Sequence, residues 1–210
     1  MKVYIVTGEP FPNGMAATNR IKCYAWALLG QDVEVEVLIF RRTEGPGLML
    51  GNKTGVGNFK GINYRYIGNT SIRKKNPLVW RIIEKIDHYK TIKYLSKNLT
   101  KGDVVLFYCN LQLELTLQIM KKTRSTGAKF VRDLCELPFG TGAETPDKIK
   151  LRERTYNEQF PLLDGIVSIS DALTDLAMKY IPNNRIIKVP ILVDYNSYKL
   201  DDKSDEVSVP

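Results

Sequence analysis

The sequence has little of the side-chain chemistry on which many enzymes depend. Its 210 residues include one histidine, His88, and three cysteines, Cys23, Cys109 and Cys135, which form no CxxC pair. A zinc site built from His and Cys ligands is therefore not expected, nor is a Ser-His-Asp triad. Walker A, HExxH and GxSxG motifs are also missing, so we predict no metal ion and no organic cofactor. An odd number of unclustered cysteines is typical of reduced thiols in a cytoplasmic protein.

Long apolar runs are missing as well. No stretch approaches the length of a membrane span, and Met1-Lys2 leads directly into an apolar segment without room for a signal peptide. We therefore expect a cytoplasmic protein.

Acidic residues are scarce in one part of the chain. The net charge is +8, and residues 71–100 hold eight Lys or Arg against Glu84 and Asp87, a surplus of six. A localised basic surface points to an anionic partner such as a phosphate, an anionic membrane or a nucleic acid. Aromatic residues are not interleaved with the basic ones as in RNA-binding modules, so we expect no nucleic acid.

The first forty residues contain the clearest structural unit. Lys2–Thr7 reads as a buried strand, residues 8–14 as a Gly/Pro loop, residues 15–29 as a helix with one apolar stripe, and residues 33–40 as a second strand. Such a unit begins a parallel α/β sheet, in which ligands bind beyond the carboxyl ends of the strands. We expect Gly30 to end the helix in a left-handed conformation. The charged residues of the second strand favour a position towards a sheet edge.

The rest of the chain continues the alternation of strands and helices. Residues 41–61 read as a mobile loop or loose hairpin, and residues 195–210 as a linker or tail. Further strands are predicted at 62–67, 104–108, 129–132, 165–168 and 185–189, and further helices from 77, at 111–126, at 146–160 and at 171–180. The helix from Pro77 is basic and amphipathic, so it packs on the core or lies on a membrane; its broad, regular stripe favours the core.

Polar residues follow several of the predicted strands and form the candidate site: Asn13, Gly14, Asn110, Asp133, Glu136 and Ser170. Ser170 is a candidate helix N-cap whose backbone amides could seat an anion. Asp133 and Glu136 could accept a proton from an attacking hydroxyl. The alternative is that Asp133 caps a turn and Glu136 is solvated.

Three segments resemble the N-terminal half of retaining glycosyltransferases of the GT-B fold, family 4. VTGEPFPNGMAATNR (residues 6–20) is similar to the opening strand, loop and helix of that family. DGIVSIS (164–170) is similar to its "D-x-hydrophobic-hydrophobic-x-x-S" segment, and VPILVD (189–194) to the turn before its interdomain linker. The first loop has Gly14 where the family commonly has a glycine pair, and Ile191-Leu192 replaces the usual Asn-Gly.

The resemblance implies a Rossmann-like domain over residues 1–194, with 195–210 leading towards a donor-binding domain. It also implies metal-independent transfer of a sugar, with retention, from a nucleotide-sugar to a glycan or lipid-linked acceptor, as in the synthesis of cell-surface polysaccharides. Asn13, Gly14 and Arg20 would then bind substrate, with Gly14 close to the donor diphosphate. Asn110, Asp133 and Glu136 would line the acceptor side, and a peripheral contact with an anionic membrane remains open.

Two alternatives from other classes also remain. The one ranked last is a nucleic-acid-associated protein that uses the basic segment, and the other is a binding module. The domain would then be a stand-alone module that holds a nucleotide or a sugar phosphate without catalysis.

Overall fold

The structure, a computed structural model, describes residues 1–47, 51–108, 113–138 and 143–192. Asn110, Cys109 and the predicted linker 195–210 lie outside the described residues.

The described residues form one eight-stranded sheet. Its strands are β1 (Lys2–Thr7), β2 (Glu34–Ile39), β3 (Val56–Phe59), β4 (Ile62–Tyr66), β5 (Val104–Tyr108), β6 (Lys129–Leu134), β7 (Gly165–Ser168) and β8 (Ile186–Lys188). Their order is β3-β4-β2-β1-β5-β6-β7-β8. Every neighbouring pair is parallel except β3 and β4. The predicted α/β class with a mainly parallel sheet is therefore confirmed.

Within the described residues, five α-helices connect these strands. They are α1 (Ala16–Leu29), α2 (Pro77–Asn98), α3 (Leu113–Ser125), α4 (Pro146–Arg154) and α5 (Asp171–Met178). The helix predicted at 146–160 ends its α-helical part at Arg154. It continues as a π-helical turn, Thr155–Gln159, and a 3-10 turn, Phe160–Leu162, that contains Pro161.

The two faces of the sheet bury separate apolar clusters, because side chains alternate along each strand. In β1, Val3 and Ile5 belong to the cluster on the α1 face, whereas Tyr4 and Val6 belong to the cluster on the opposite face. That opposite cluster includes residues from α2, α3 and α5. The domain therefore has three layers, helix, sheet and helix.

The α1 face is incompletely covered. An apolar groove of about 620 Å³ runs beside α1 across the other half of the sheet. Its lining includes Leu28, Leu106, Val131, Val167, Ile187 and Leu192.

The position expected for β2 was wrong. This strand lies inside the sheet, between β4 and β1. Its charge is tolerated there because Glu36, although buried, forms ion pairs with Lys2 (Nζ to Oε2, 2.9 Å) and Arg65 (Nε to Oε1, 3.7 Å). The Tyr94 hydroxyl also donates a hydrogen bond to it at 2.8 Å. Neutralisation by neighbours, which strand patterning does not reveal, explains the error.

One local turn differs from the expectation and another makes it more specific. Gly30 has φ −67°, so it is right-handed, and Asp32 at φ 57° takes the left-handed conformation instead. The loose hairpin expected within residues 41–61 corresponds to the antiparallel pair of β3 and β4. Lys60 and Gly61, at φ 48° and 89°, form the two-residue connection between β3 and β4.

The expected core packing of the α2 stripe is wrong for its first half. Ile82 is 61% exposed and Tyr89 is 65% exposed, and Leu78, Val79 and Ile86 are also exposed. Asp87, Thr91 and Leu95 are the buried residues of this helix. Asp87 pairs with Arg42 on the loop after β2 at 3.1 Å, so a polar contact as well as apolar packing fixes the helix.

Candidate functional site

Hydrogen bonds join the first loop, residues 8–14, to the loop that contains Glu44, Gly51 and Asn52, beyond the carboxyl edge of the sheet. The Asn13 backbone N–H donates to Asn52 Oδ1 at 2.8 Å, and the Asn52 amide donates back to the Asn13 carbonyl at 2.9 Å. The Asn13 side chain donates to the Gly51 carbonyl at 2.6 Å, and Glu44 accepts a hydrogen bond from Asn52 at 2.6 Å. Asn13 is exposed, and these bonds fix its position.

Gly14 has no room for a side chain. A Cβ atom there would lie 2.0 Å from Thr18 Oγ1 and 2.9 Å from the Pro10 ring. The Thr18 hydroxyl is held in place because it donates to the Pro10 carbonyl at 2.6 Å. Packing inside the loop is therefore one reason for glycine at this position, and contact with a donor diphosphate remains a prediction.

Arg20 and Asp133, two of the predicted site residues, meet below the surface. The Arg20 Nε atom lies 3.4 Å from Asp133 Oδ2, and its Nη atoms donate to the Pro190 and Val189 carbonyls at 2.7 and 2.8 Å. The Tyr24 hydroxyl also donates to Asp133 Oδ2. This network joins α1 to the ends of β6 and β8.

The environment of Asp133 changes its acidity. Its side chain is fully buried, and this burial raises the pKa of the carboxyl, whereas the Tyr24 hydrogen bond and Arg20 lower it. Burial next to Asp133 likewise raises the pKa of Tyr24. Asp133 Oδ1 is buried without a hydrogen-bond partner. Roles for Asp133 as a base and for Arg20 as a substrate ligand remain predictions.

The remaining predicted residues that the structure describes, Ser170 and Glu136, lie at the carboxyl edge. Ser170 is the N-cap of α5, as expected, and its hydroxyl accepts a hydrogen bond from the Leu173 N–H at 3.4 Å. Glu136 follows β6 and is exposed. Direct contact therefore joins Arg20 with Asp133 among the predicted site residues.

Sequence reasoning missed one cluster at the same edge, which we call the arginine pocket. It is a cavity of about 190 Å³ lined by Gly8, Arg41, Arg42, Thr43, Arg73 and Trp80, together with Pro10. The sequence carried a signal for it, because Arg41-Arg42 directly follows a predicted strand in a chain whose ligands are expected at strand ends.

His88 is half-buried on α2. Its ring packs edge-on against Phe40 at a centroid distance of 5.6 Å. Burial lowers the pKa of His88, as does Arg41, whereas Glu84 and Asp87 raise it. His88 Nε2 is buried without a hydrogen-bond partner.

In the part of the chain that the structure describes, no group of three or more His, Cys, Asp or Glu side chains could hold a metal ion. The helices of that part are too short or too polar to span a membrane.

The sheet order and the covering helices define an α/β domain of the kind that forms one half of a GT-B glycosyltransferase. No family model and no curated protein sequence matches the chain.

Solved structures supply the likeness. The fold is similar to that of the Escherichia coli trehalose-6-phosphate synthase structure bound with UDP-2-fluoro glucose, with a TM-score of 0.50 at 10% identity. An α,α-trehalose-phosphate synthase (UDP-forming) from Burkholderia vietnamiensis has the same TM-score at 9% identity. The matches cover 94% and 90% of this chain but 50% and 48% of those proteins. The chain thus spans about half the length of either, and the likeness concerns the fold.

Proposed function

We propose that this chain is the acceptor-side half of a retaining glycosyltransferase of the family 4 type. The complete enzyme transfers a sugar from a nucleotide-sugar to a hydroxyl of a glycan or lipid-linked acceptor, without a metal ion. A donor-binding half beyond residue 194 supplies most of the nucleotide contacts. This chain supplies the first loop and the carboxyl edge of the sheet.

The observation that carries the proposal is the position of the polar groups on this fold. Asn13, Glu136, Ser170 and the arginine pocket all lie beyond strand ends, where α/β sheets bind ligands. The fold is that of one half of a two-domain glycosyltransferase. The E. coli protein in that comparison binds a nucleotide-sugar analogue.

The size of the native polypeptide is the first test. An immunoblot of source-cell lysate against this domain should show a band about twice the mass of this chain, as a second domain of similar size requires. The longer protein should transfer label from a nucleotide-sugar to an extracted glycan or lipid fraction. A band at 23.9 kDa, with no transfer in the presence of other cell proteins, would contradict the proposal.

Glu136 gives the matching site test. It is an exposed carboxylate after β6, so Glu136→Gln in the longer protein should lower transfer at least about 10-fold while the melting temperature is unchanged. Glu153→Gln, at another exposed glutamate on α4, is the control. Equal activity of the two variants would remove Glu136 from the site.

We further propose that the cytoplasmic chain contacts the anionic inner face of a membrane through α2. Leu78, Ile82, Ile86 and Tyr89 expose apolar surface. Lys93 and Lys97 follow on the same helix and are exposed. Lys90, Lys93, Lys97 and Arg65 line an adjacent groove of about 460 Å³. Apolar side chains beside lysines suit the interface of an anionic bilayer.

Vesicle sedimentation tests this contact. The chain should pellet at low salt with vesicles containing phosphatidylglycerol but not with phosphatidylcholine alone. Ile82→Asp should weaken binding about 10-fold, because it replaces inserted apolar surface with a charge. Ile149→Asp, at an exposed isoleucine on α4, should have little effect. Equal binding of both variants would exclude α2 as the contact.

A stand-alone binding module is the second candidate, favoured by the small basic cavity within this chain. Calorimetry with nucleoside diphosphates separates the two. Binding as tight as about 1 μM by the chain alone would favour the module, because the transferase proposal assigns most donor contacts to another domain.

A further inference from the structure

The arginine pocket concentrates positive charge at the carboxyl edge of the sheet. Arg41, Arg42 and Arg73 all line a space of about 190 Å³, and none of the described lining residues is acidic. Trp80, from the first turn of α2, contributes an aromatic wall. The guanidinium of Arg73 lies 5.8 Å from the Trp80 ring centroid, a cation–π distance that holds both side chains.

Two carboxylates near this pocket, those of Asp87 and Glu44, have other partners. Asp87 pairs with Arg42, with side-chain exposures of 2% and 13%. Glu44 accepts hydrogen bonds from the Gly51 N–H at 3.2 Å and from the Asn52 amide at 2.6 Å. Among the described residues, neither Arg41 nor Arg73 forms an ion pair with a carboxylate.

Backbone carbonyls fix the other two arginines without neutralising them. Arg41 Nε donates to the Gly8 carbonyl at 2.7 Å, and Arg73 Nη2 donates to the Thr43 carbonyl at 3.0 Å. Arg73 Nε is buried and has no hydrogen-bond partner. Each guanidinium has five N–H donors, so both keep donors for a ligand, and a buried donor without a partner is costly.

We propose that the arginine pocket binds a phosphate-class oxyanion. Planar guanidinium groups match the oxygens of phosphate and bind them through paired, charge-assisted hydrogen bonds. Arg41 and Arg73 are the principal ligands, because Arg42 is already paired with Asp87. The cavity is large enough for one phosphate group and adjoins the first loop through Gly8.

The site narrows the acceptor class, an assignment that rests on the proposed function. The acceptor carries a phosphate group, and the pocket holds this group beside the first loop. This phosphate belongs either to a soluble sugar phosphate or to a lipid headgroup. Trp80 is on the same helix as the exposed apolar residues Leu78 and Ile82.

Fluorescence measures the binding directly on the 210-residue chain. The sequence has two tryptophans, Trp26 and Trp80, so Trp26→Phe leaves Trp80 as the sole reporter in the pocket. Inorganic phosphate should change the Trp80 emission saturably, whereas chloride at equal ionic strength should not. Arg41→Gln and Arg73→Gln should each lower the affinity for inorganic phosphate at least about 10-fold. Arg124→Gln, at the end of α3 and outside the pocket, removes the same charge and should change affinity less than about 2-fold.

A second set of ligands distinguishes the source of the phosphate. A sugar phosphate that binds at least about 10-fold more tightly than inorganic phosphate would indicate a soluble acceptor. A lipid headgroup would be indicated if phosphatidic acid in vesicles, and not the sugar phosphate, bound at least about 10-fold more tightly than inorganic phosphate. Arg73→Gln should then remove this tighter binding. Either result supports the site.

Two results would overturn the proposal. One is no saturable response at phosphate concentrations well above the millimolar range; the other is an equal loss of affinity in Arg124→Gln and the pocket variants. If Arg73→Gln does not fold, Arg41→Gln and the phosphate-dependent rise in the melting temperature of the unmodified chain decide the question. Because these readouts measure binding, they remain valid even if the longer protein transfers no sugar.

Discussion

Helices α1 and α2 have similar amphipathic patterns in the sequence but opposite surroundings in the structure. In α1 the stripe is buried, with Ile21 and Ala25 fully inaccessible to solvent. In the first half of α2 the stripe faces outwards, and Ile82 is 61% exposed. An apolar stripe therefore identifies the apolar face of a helix, but it does not show whether other residues of the chain cover that face.

The difference arises from how each helix is attached. Helix α1 connects two adjacent parallel strands, so it packs along them. Helix α2 connects β4 to β5, which are separated by β2 and β1 in the sheet order, and it is attached by Asp87 and Leu95. Its first turns remain available for another surface.

The largest expected contrast comes from the same substitution in both helices. Ile21→Ala should lower the free energy of unfolding by about 3 kcal/mol, because it opens a cavity in the core. Ile82→Ala should change it by less than about 0.5 kcal/mol. Urea denaturation monitored by circular dichroism measures both. Equal losses would mean that α2 is buried like α1.

The ion pair tests the attachment of α2. Asp87→Ala leaves Arg42 without its carboxylate in a largely buried site, so we expect the protein to lose about 3 kcal/mol of unfolding free energy. Glu84→Gln, on the same helix, should have a much smaller effect in the same denaturation experiment. A loss below about 1 kcal/mol for Asp87→Ala would show that apolar packing alone holds the helix.

A hydroxyl on α1 gives a smaller effect. Tyr24→Phe removes the donor to Asp133 and should cost about 1 kcal/mol, measured by thermal and urea unfolding. Tyr89→Phe, at an exposed tyrosine of α2, should be neutral. If neither substitution changes the free energy of unfolding, the Arg20–Asp133 contact stabilises this region without the Tyr24 hydrogen bond.

The smallest effect concerns pH. Burial lowers the pKa of His88 in the folded state, so the unfolded chain binds more protons between that pKa and about 6.5. The stability contribution of neutral His88 is therefore complete above about pH 6.5 and is lost as the pH falls through the folded-state pKa. His88→Gln should flatten the urea stability profile in this window. An unchanged slope would assign it to other groups.

Sequence reasoning succeeded where local pattern and long-range structure agree. The strand at Val104–Tyr108 was predicted with its observed bounds, and Ser170 was identified as an N-cap. Both depend on short-range signals, a continuous apolar run and a hydroxyl before a helix.

It failed where distant residues decide the outcome. Glu36 made β2 resemble an edge strand, but Lys2 and Arg65 neutralise it inside the sheet. The arginine pocket likewise combines residues 41–43 with Arg73 and Trp80, a grouping that forms only after folding. Arg20 and Asp133 were selected separately, and only the structure shows that they contact one another.

The open groove on the α1 face has a practical consequence for anyone who handles this protein. This groove of about 620 Å³, bordered by the exposed side chain of Ile187, gives the domain an exposed apolar surface that favours association. The purified chain should therefore bind hydrophobic dyes, be retained on phenyl resins and self-associate as its concentration rises. Dilute samples, with dye fluorescence as a routine quality check, are the appropriate starting material for every titration described above.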